Sequence, residues 1–318
     1  MKKMQEVINE HIVADIHLNM TQETLQRAIL YALDNGKRWR PIIFLAMFES
    51  SPVGVNLSSY PCLMGVCLFL EYIHTASLIL DDMPMMDNDD YRRDKLTLHK
   101  MFDEATCKLA ALHLMLLAQK HLGDCIFALE RSGTYFGGGG GGEEYAQLYR
   151  LCNEDMYNFL GPAGLCAGQF MDLHFPPGGN YLEMIKQKTS SLFILAFKLG
   201  YRLSRKCFGT GTGTGAGAEA EAVAVAHIEE VGTKFGYLYQ ILDDIEDYDQ
   251  DLKTQHNNNY LFFYDKATVA PTVRLFYKDV VRHLNTLQLG SPTVKHILFQ
   301  LQQKWLKNKS LLLSIPLN

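Results

Sequence analysis

The sequence predicts an all-α fold, a single large helical bundle, and three observations carry that expectation. Apolar residues recur three and four apart over long stretches, while short alternating β-branched runs are rare. The 318 residues are 47% hydrophobic, enough to bury a large core. The Gly and Pro breakers lie between the periodic stretches, so they read as connections and not as a domain boundary. One domain over residues 1–318 is expected.

The clearest helices fall at 22–33, 63–80, 105–122, 184–199, 227–248 and 294–305. Breaks are expected at Gly36, Pro41, Pro84 and Gly123, and at 176–179 and 290–292. Two segments of low complexity, 137–142 and 209–218, read as loops because glycine runs lose too much backbone entropy to order cheaply. From about Glu219 the second becomes Ala/Glu-rich, where strong helix formers begin the helix that continues through His227.

Charge and cysteine usage narrow the function. A net charge of -5 leaves no broad basic surface for nucleic acid, so any anionic ligand must be held by a local cluster of Lys and Arg. Seven scattered cysteines with no Cys-x-x-Cys pair argue for packed thiols in a reducing compartment, not a disulfide framework or zinc site. The apolar stretch 61–80 is interrupted by Glu71 and His74 and reads as a buried helix, so no transmembrane segment is expected. The first residues, MKKMQEV, have neither a secretory apolar core nor the acid-poor character of a transit peptide. A cytoplasmic location is expected, or a plastid-type organelle if a transit peptide has been removed.

Two acidic clusters follow apolar helices. LILDDMPMMDNDDYRR carries Asp81, Asp82, Asp87, Asp89 and Asp90, with Arg92 and Arg93 directly after. YQILDDIEDYDQD places Asp243 and Asp247 four apart on one helical face, where two carboxylates repel unless a cation sits between them. Carboxylate oxygens with water suit Mg²⁺, which takes one or two carboxylates together with ligand phosphates. The basic GKRWRP segment, 36–41, precedes a helix whose N-terminal amides also favour an anion. His74 lies two helical turns before Asp81 and on the same side.

These residues together resemble the trans-isoprenyl diphosphate synthases of the polyprenyl synthetase family. GKRWRP (36–41), EYIHTASLILDDMPMMDNDDYRRDKLTLHK (71–100), GQFMD (168–172), KT (188–189) and YQILDDIED (239–247) stand in the family's order, and the spacing in DDMPMMD is similar to that of bacterial and plant-type geranylgeranyl and farnesyl diphosphate synthases, not the shorter DDxxD form. The resemblance implies the isoprenoid synthase bundle with a central apolar cavity. It implies three Mg²⁺ ions bound with diphosphate, held by Asp81, Asp87, Asp243 and Asp247, with Asp82 and Asp244 completing the acidic walls. Lys37, Arg40, His74 and Arg93 would hold isopentenyl diphosphate. Arg92, Lys188, Thr189 and Gln240 would contact the allylic diphosphate or shield the carbocation formed from it, and a homodimer is implied.

Two departures stand out. The family has Gly after its Arg-Arg pair where this chain has Asp94, and it supplies a lysine after the second cluster where DYDQDLKTQHNNNYLFF offers only Lys253. The resemblance also implies that side chains beneath the first acidic cluster limit the product's length, and geometry places the residues four and five before Asp81 there, since one helical turn of about 5.4 Å approximates an isoprene unit. Ser77 and Ala76 are both small, so a twenty-carbon product is expected, with Tyr72, Ile73, His113 or Leu116 as a deeper floor. The alternatives are a farnesyl or longer-chain synthase and a silent partner subunit of an active synthase. A terpene cyclase is disfavoured by Asp243-Asp244-Ile245-Glu246-Asp247.

Overall fold

A computed structural model describes residues 1–50, 57–131, 142–176, 178–208, 218–254 and 258–314. Their order is α1 (Lys2–Asn19), α2 (Glu23–Leu33), α3 (Trp39–Glu49), a 3-10 turn (Leu57–Ser59), α4 (Leu63–Asp81), a hairpin of β1 (Tyr91–Arg92) and β2 (Lys95–Leu96), α5 (Leu98–Met101), α6 (Glu104–Arg131) and α7 (Gly142–Leu160). Then come α8 (Leu165–Leu173), α9 (Tyr181–Ile185), a π-helical turn (Lys186–Ser190), α10 (Ser191–Phe208), α11 (Ala218–Thr254), α12 (Tyr260–Phe263), α13 (Lys266–Thr286) and α14 (Pro292–Ser314). Apart from the two-residue hairpin strands, every regular element among the described residues is helical, as the periodicity predicts. The contacts divide the chain into two compact units: Met1–Leu45 with Asn56–Tyr149, and Ala46–Val55 with Arg150–Asn318.

The first unit is built around α4, whose apolar residues run almost unbroken and are therefore covered on most sides. Val66, Cys67, Phe69, Leu70, Tyr72 and Ala76 are fully buried, chiefly against α6. Gly65 permits this approach, since a Cβ there would stand 2.8 Å from the His121 carbonyl oxygen. α1 adds a stripe of Ile8, Ile12 and Ile16, four apart. It is anchored by Asp15, which accepts from the Tyr72 hydroxyl at 2.7 Å and lies 2.9 Å from His121 Nε2. By length and composition α4 could cross a membrane, yet 67% of that window is buried within the protein. Its buried acid, Glu71, is 1% exposed and ion-paired with Arg38, which is what a core helix requires of a buried charge.

The second unit is organised on α11, against which α10, α13 and α14 pack. Gly232 and Gly236 bring neighbouring backbone onto α11: a Cβ on either would lie 2.5 Å from the Cα of Ile194 or Ser190, respectively. α14 starts at the expected break, with Pro292 as its first helical residue and the Ser291 hydroxyl accepting from Val294 N–H at 3.2 Å. Asn308 on α14 donates to the Leu242 carbonyl at 2.5 Å, tying the last helix to α11 beside the second acidic cluster.

Several boundaries differ from the sequence reading. α6 runs through Gly123 without a break; the glycine costs propensity only, and its open side receives the Tyr149 ring. Pro41 lies in the first turn of α3, where its missing N–H has no intrahelical partner to lose. The 184–199 stretch is divided by the π-helical turn. α11 continues past Tyr248 to Thr254, so the second acidic cluster stands within a helix and not at its end. Of the two expected low-complexity loops, 137–141 and 209–217 lie outside the described residues, while Gly142 and Ala218 open α7 and α11. Five of the seven cysteines are buried, Cys62 is half-buried and Cys166 exposed, with no disulfide.

Candidate functional site

In the first unit the acidic residues gather where α4 ends. Asp81 is half-buried and is the last residue of the helix; Asp82, next in the chain, is 4% exposed. Successive helical positions differ by about 100°, so one of two adjacent carboxylates turns outward and the other inward. Asp82 Oδ1 is held by Arg92 Nε at 2.5 Å. Burial pushes the Asp82 carboxyl up to about 7, with Arg92 opposing and Asp81 and Asp89 adding to the rise. Burial works against charging Arg92, but Asp82, Asp81 and Asp89 outweigh it and raise its pKa. The loop then folds back, and Asp87 N–H donates to the Asp81 carbonyl at 2.9 Å, placing the two expected Mg²⁺ ligands side by side.

The hairpin after Asp90 aims the arginine pair. Arg93 and Asp94 form its two-residue turn with φ of 54° and 62°, between the Tyr91↔Leu96 and Arg92↔Lys95 pairs. Both central residues at positive φ mark a type I′ turn, whose twist suits a hairpin. Asp94 therefore stands where the backbone favours the glycine that the family pattern has, and an aspartate tolerates the left-handed region at some cost. Arg93 donates to the Asp34 carbonyl at 3.0 Å.

His74 is where the basic residues meet. Burial lowers its pKa well below the usual value, and the fields of Arg40, Arg93, Arg92 and Arg38 lower it further. The imidazole is therefore neutral at neutral pH among several guanidinium groups, an arrangement that an anion would relieve. Arg40 enters from the first turn of α3, and Lys37 lies exposed on the preceding connection. Arg38, between them, turns into the core at φ 55°, where it pairs with Glu71 and donates Nε–H to Asn9 Oδ1 at 2.9 Å. Gly36 makes room for it, because a Cβ there would collide with the guanidinium. The basic segment thus divides: Arg38 turns into the core and holds the fold, whereas Lys37 is exposed and Arg40 half-buried. Below the acids, Ser77 is half-buried one turn from Asp81 and donates to the His74 carbonyl at 2.8 Å; Ala76 is fully buried. Leu116, offered as a deeper floor, is 60% exposed and does not line the core of this unit.

The second unit repeats the inward and outward pairing on α11. Asp243 is half-buried and Asp247 exposed, whereas Asp244 is 4% exposed. Both Asp244 oxygens are occupied: Oδ2 accepts from the Tyr181 hydroxyl at 2.6 Å and Tyr260 N–H at 2.8 Å, and Oδ1 from Gln240 Nε2 at 2.8 Å. Burial pushes its carboxyl up to about 7 despite these donors. Asp244 thus braces the cluster from behind, leaving Asp243 and Asp247 as the outward pair. Loss of hydration, together with Asp243, Asp251 and Glu246, pushes the Asp247 carboxyl up to about 6, with Lys304 pulling it down.

Lys188 and Thr189 lie in the π-helical turn, a distortion that is frequent at functional sites. Thr189 Oγ1 donates to Gln240 Oε1 at 2.9 Å, and Lys188 pairs with Asp172 of the GQFMD segment. Gly168 lets α8 approach, since a Cβ there would lie 2.1 Å from the Lys188 nitrogen. Sequence reasoning missed four supporting residues: Tyr181, Asn258, which donates to Asp172 Oδ1 at 2.6 Å, Asn259, which donates to the Asp244 carbonyl at 2.8 Å, and Lys304, which pairs with Asp243. They sit in segments whose register against the motifs only the fold defines.

The donor set suits Mg²⁺. All the outward groups are carboxylates, and the neighbouring acids that help raise the Asp247 pKa are a negative field that a divalent ion would offset. Among the described residues no three carboxylate, imidazole or thiol groups converge on one point. An ion that keeps several waters and takes phosphate oxygens does not require such a cage.

Comparisons with known proteins show the family and the fold. A match to the polyprenyl synthetase family covers residues 22–260. A dimethylallyltranstransferase of Fischerella ambigua (strain UTEX 1903) is 31% identical over 226 residues, 71% of this chain and 57% of the relative. Geranylgeranyl pyrophosphate synthase 3, chloroplastic, of Arabidopsis thaliana is 33% identical over 235 residues, 70% of this chain and 55% of the relative. A farnesyl diphosphate synthase of Micrococcus luteus is 48% identical over 105 residues, 33% of this chain and 34% of the relative. The chain thus spans between a third and somewhat over half the length of these curated relatives. Among solved structures, a geranyltransferase from Legionella pneumophila matches with a TM-score of 0.71 at 23% identity, covering 95% of this chain and 94% of its own. A Helicobacter pylori geranyltransferase complexed with magnesium and isoprenyl diphosphate matches with a TM-score of 0.69 at 23% identity, covering 96% and 97%. The fold is that of the isoprenoid synthases, and the chain belongs to the polyprenyl synthetase family.

Proposed function

We propose that this chain is a Mg²⁺-dependent trans-prenyltransferase that condenses isopentenyl diphosphate with an allylic diphosphate, extending farnesyl to geranylgeranyl diphosphate. The observation that carries the reading is the meeting of cations and acids at the end of α4. Arg40, Arg92 and Arg93 act on a half-buried, neutral His74 two turns from Asp81, and the acids stand beside them. A site that sets fixed cations beside carboxylates matches a diphosphate carrying its own divalent metal.

In this reading Asp81 and Asp87 in the first unit, and Asp243 and Asp247 in the second, would hold Mg²⁺, which would supply positive charge for the leaving group. Lys37, Arg40, His74 and Arg93 bind isopentenyl diphosphate, the neutral imidazole donating an N–H to a phosphate oxygen. Arg92, held charged by its acids, meets the allylic diphosphate together with Lys188. The allylic C–O bond breaks with its electron pair leaving on diphosphate; the alkene of isopentenyl diphosphate attacks the allylic cation, and a proton departs to the diphosphate. Thr189 and Gln240, locked to each other, offer fixed dipoles to the positive charge. Asp82 and Asp244 act from behind by orienting Arg92 and Gln240. An apolar cavity excludes water, which would trap the cation as an alcohol.

The remaining expectations join the proposal: residues 1–318 acting as one synthase domain, a cytoplasmic location, and a homodimer. Leu109, Leu112 and Leu116 on α6 support the homodimer, forming a stripe at helical spacing that is 53–60% exposed. Asp81→Ala and Asp243→Ala, each made singly, are expected to lower turnover at least about a thousandfold with the fold intact by circular dichroism. Retained turnover in either would refute the assignment of the two acidic walls.

A further inference from the structure

The segment after Asp247, where the family pattern has a lysine, offers Lys253, and that side chain is exposed. A different lysine reaches the second acidic cluster. Lys304, on α14 and 61 positions from Asp243, forms an ion pair with Asp243 and lies 3.4 Å from Glu246 Oε2. Its ammonium stands 4.8 Å over the Tyr239 ring. Two carboxylates and an aromatic face hold one cation, and the side chain is 16% exposed against 72% for its neighbour Lys307. The Asn308 bond to Leu242, one turn further along α14, fixes the register that delivers it.

We propose that Lys304 is the cation that the second acidic cluster sets against the leaving diphosphate, replacing a lysine from the segment after Asp247. The assignment rests on the prenyltransferase reading above. Before ligand arrives, the ammonium neutralises part of a wall whose like charges otherwise repel. A divalent metal on Asp243 competes with that ion pair, and the two cations then repel each other. Diphosphate oxygens brought between them turn the repulsion into charge-assisted bonding. Lys304 therefore opposes metal binding alone and favours binding of metal together with diphosphate, so the two effects have opposite signs.

Calorimetric titration of the whole chain tests this with Mg²⁺ alone and with inorganic diphosphate at fixed Mg²⁺. Lys304→Met is expected to bind Mg²⁺ alone several-fold more tightly and diphosphate with Mg²⁺ about tenfold more weakly. Lys304→Arg should fall between Met and the native residue, and Lys309→Met, at an exposed position of the same helix, should match the native protein. Unchanged diphosphate affinity in folded Lys304→Met, or weakening of both titrations alike, would overturn the assignment while leaving the prenyltransferase reading in place. If the native protein binds no diphosphate with Mg²⁺ and makes no product, that reading fails and takes this assignment with it.

Discussion

Thr189 Oγ1 donates a 2.9 Å hydrogen bond to Gln240 Oε1, joining the π-helical turn to α11 one turn before the second acidic cluster. The bond depends on Gly236, one turn earlier on α11, because a Cβ there would lie 2.2 Å from Ser190 Oγ and 2.5 Å from Ser190 Cα. Helix propensity alone favours Ala over Gly by about 1 kcal/mol. Collision with backbone opposes it, and overpacking of this kind costs about 1–3 kcal/mol.

Gly236→Ala is therefore expected to destabilise, whereas Gly123→Ala is expected to stabilise by about 0.5–1 kcal/mol. At Gly123 the nearest atom to an added Cβ is a Tyr149 ring carbon at 3.6 Å, an ordinary contact. Urea unfolding of both variants checks the pair. Equal stabilisation by both would show that α11 does not carry Ser190 as closely as described.

Asp94 offers a second test of local geometry. Its left-handed φ of 62° costs an L-residue about 1–2 kcal/mol, and glycine returns about 0.4–1 kcal/mol of that through its freer unfolded chain. Asp94→Gly should thus gain about 0.5–1 kcal/mol in urea unfolding. A loss of stability would contradict the type I′ turn.

These glycines and the turn show what could be read before the fold was known. The helices at 22–33, 63–80 and 294–305 were legible because their apolar spacing decides burial locally. The acids and bases of the site were legible because their residue types and spacing carry the chemistry. Local pattern could not separate Asp81 from Asp82, or Arg40 from Arg38, since neighbours of identical type differ only in which side of a helix or turn meets the core. Nor could it find Tyr181 or Lys304, whose relation to the acids depends on packing between elements distant in sequence. The helix running through Gly123 shows a local breaker overruled by tertiary contact.

The Asp244 carboxyl supplies a pH test. Its folded pKa, about 7, lies above the unfolded value near 3.8, so from pH 4 to 7 the folded chain holds a proton that the unfolded chain releases. The protonated group's contribution to stability is fully present below pH 4 and is lost as pH rises through 7. Asp244→Asn does not titrate, so its stability relative to the native protein should improve steadily between pH 4 and 7 in metal-free buffer. A difference between the two that is independent of pH would contradict the raised pKa.

Chain length tests the ruler below Asp81. Ser77 shares that residue's helical face and is half-buried, so Ser77→Phe should shorten the product to fifteen carbons with little loss of stability. Ala76→Phe should shorten it as well, at a cost of about 1–3 kcal/mol because Ala76 is fully packed. Chromatography of the dephosphorylated products reads both variants, and unchanged length in both would remove the ruler.

The central claim is tested most directly by incubating the protein with Mg²⁺, labelled isopentenyl diphosphate and farnesyl diphosphate and resolving the alcohols after dephosphorylation. The expected result is a twenty-carbon alcohol that disappears when Mg²⁺ is chelated. No labelled product from dimethylallyl, geranyl or farnesyl diphosphate, in protein shown to be folded, would contradict the claim and favour a silent partner subunit.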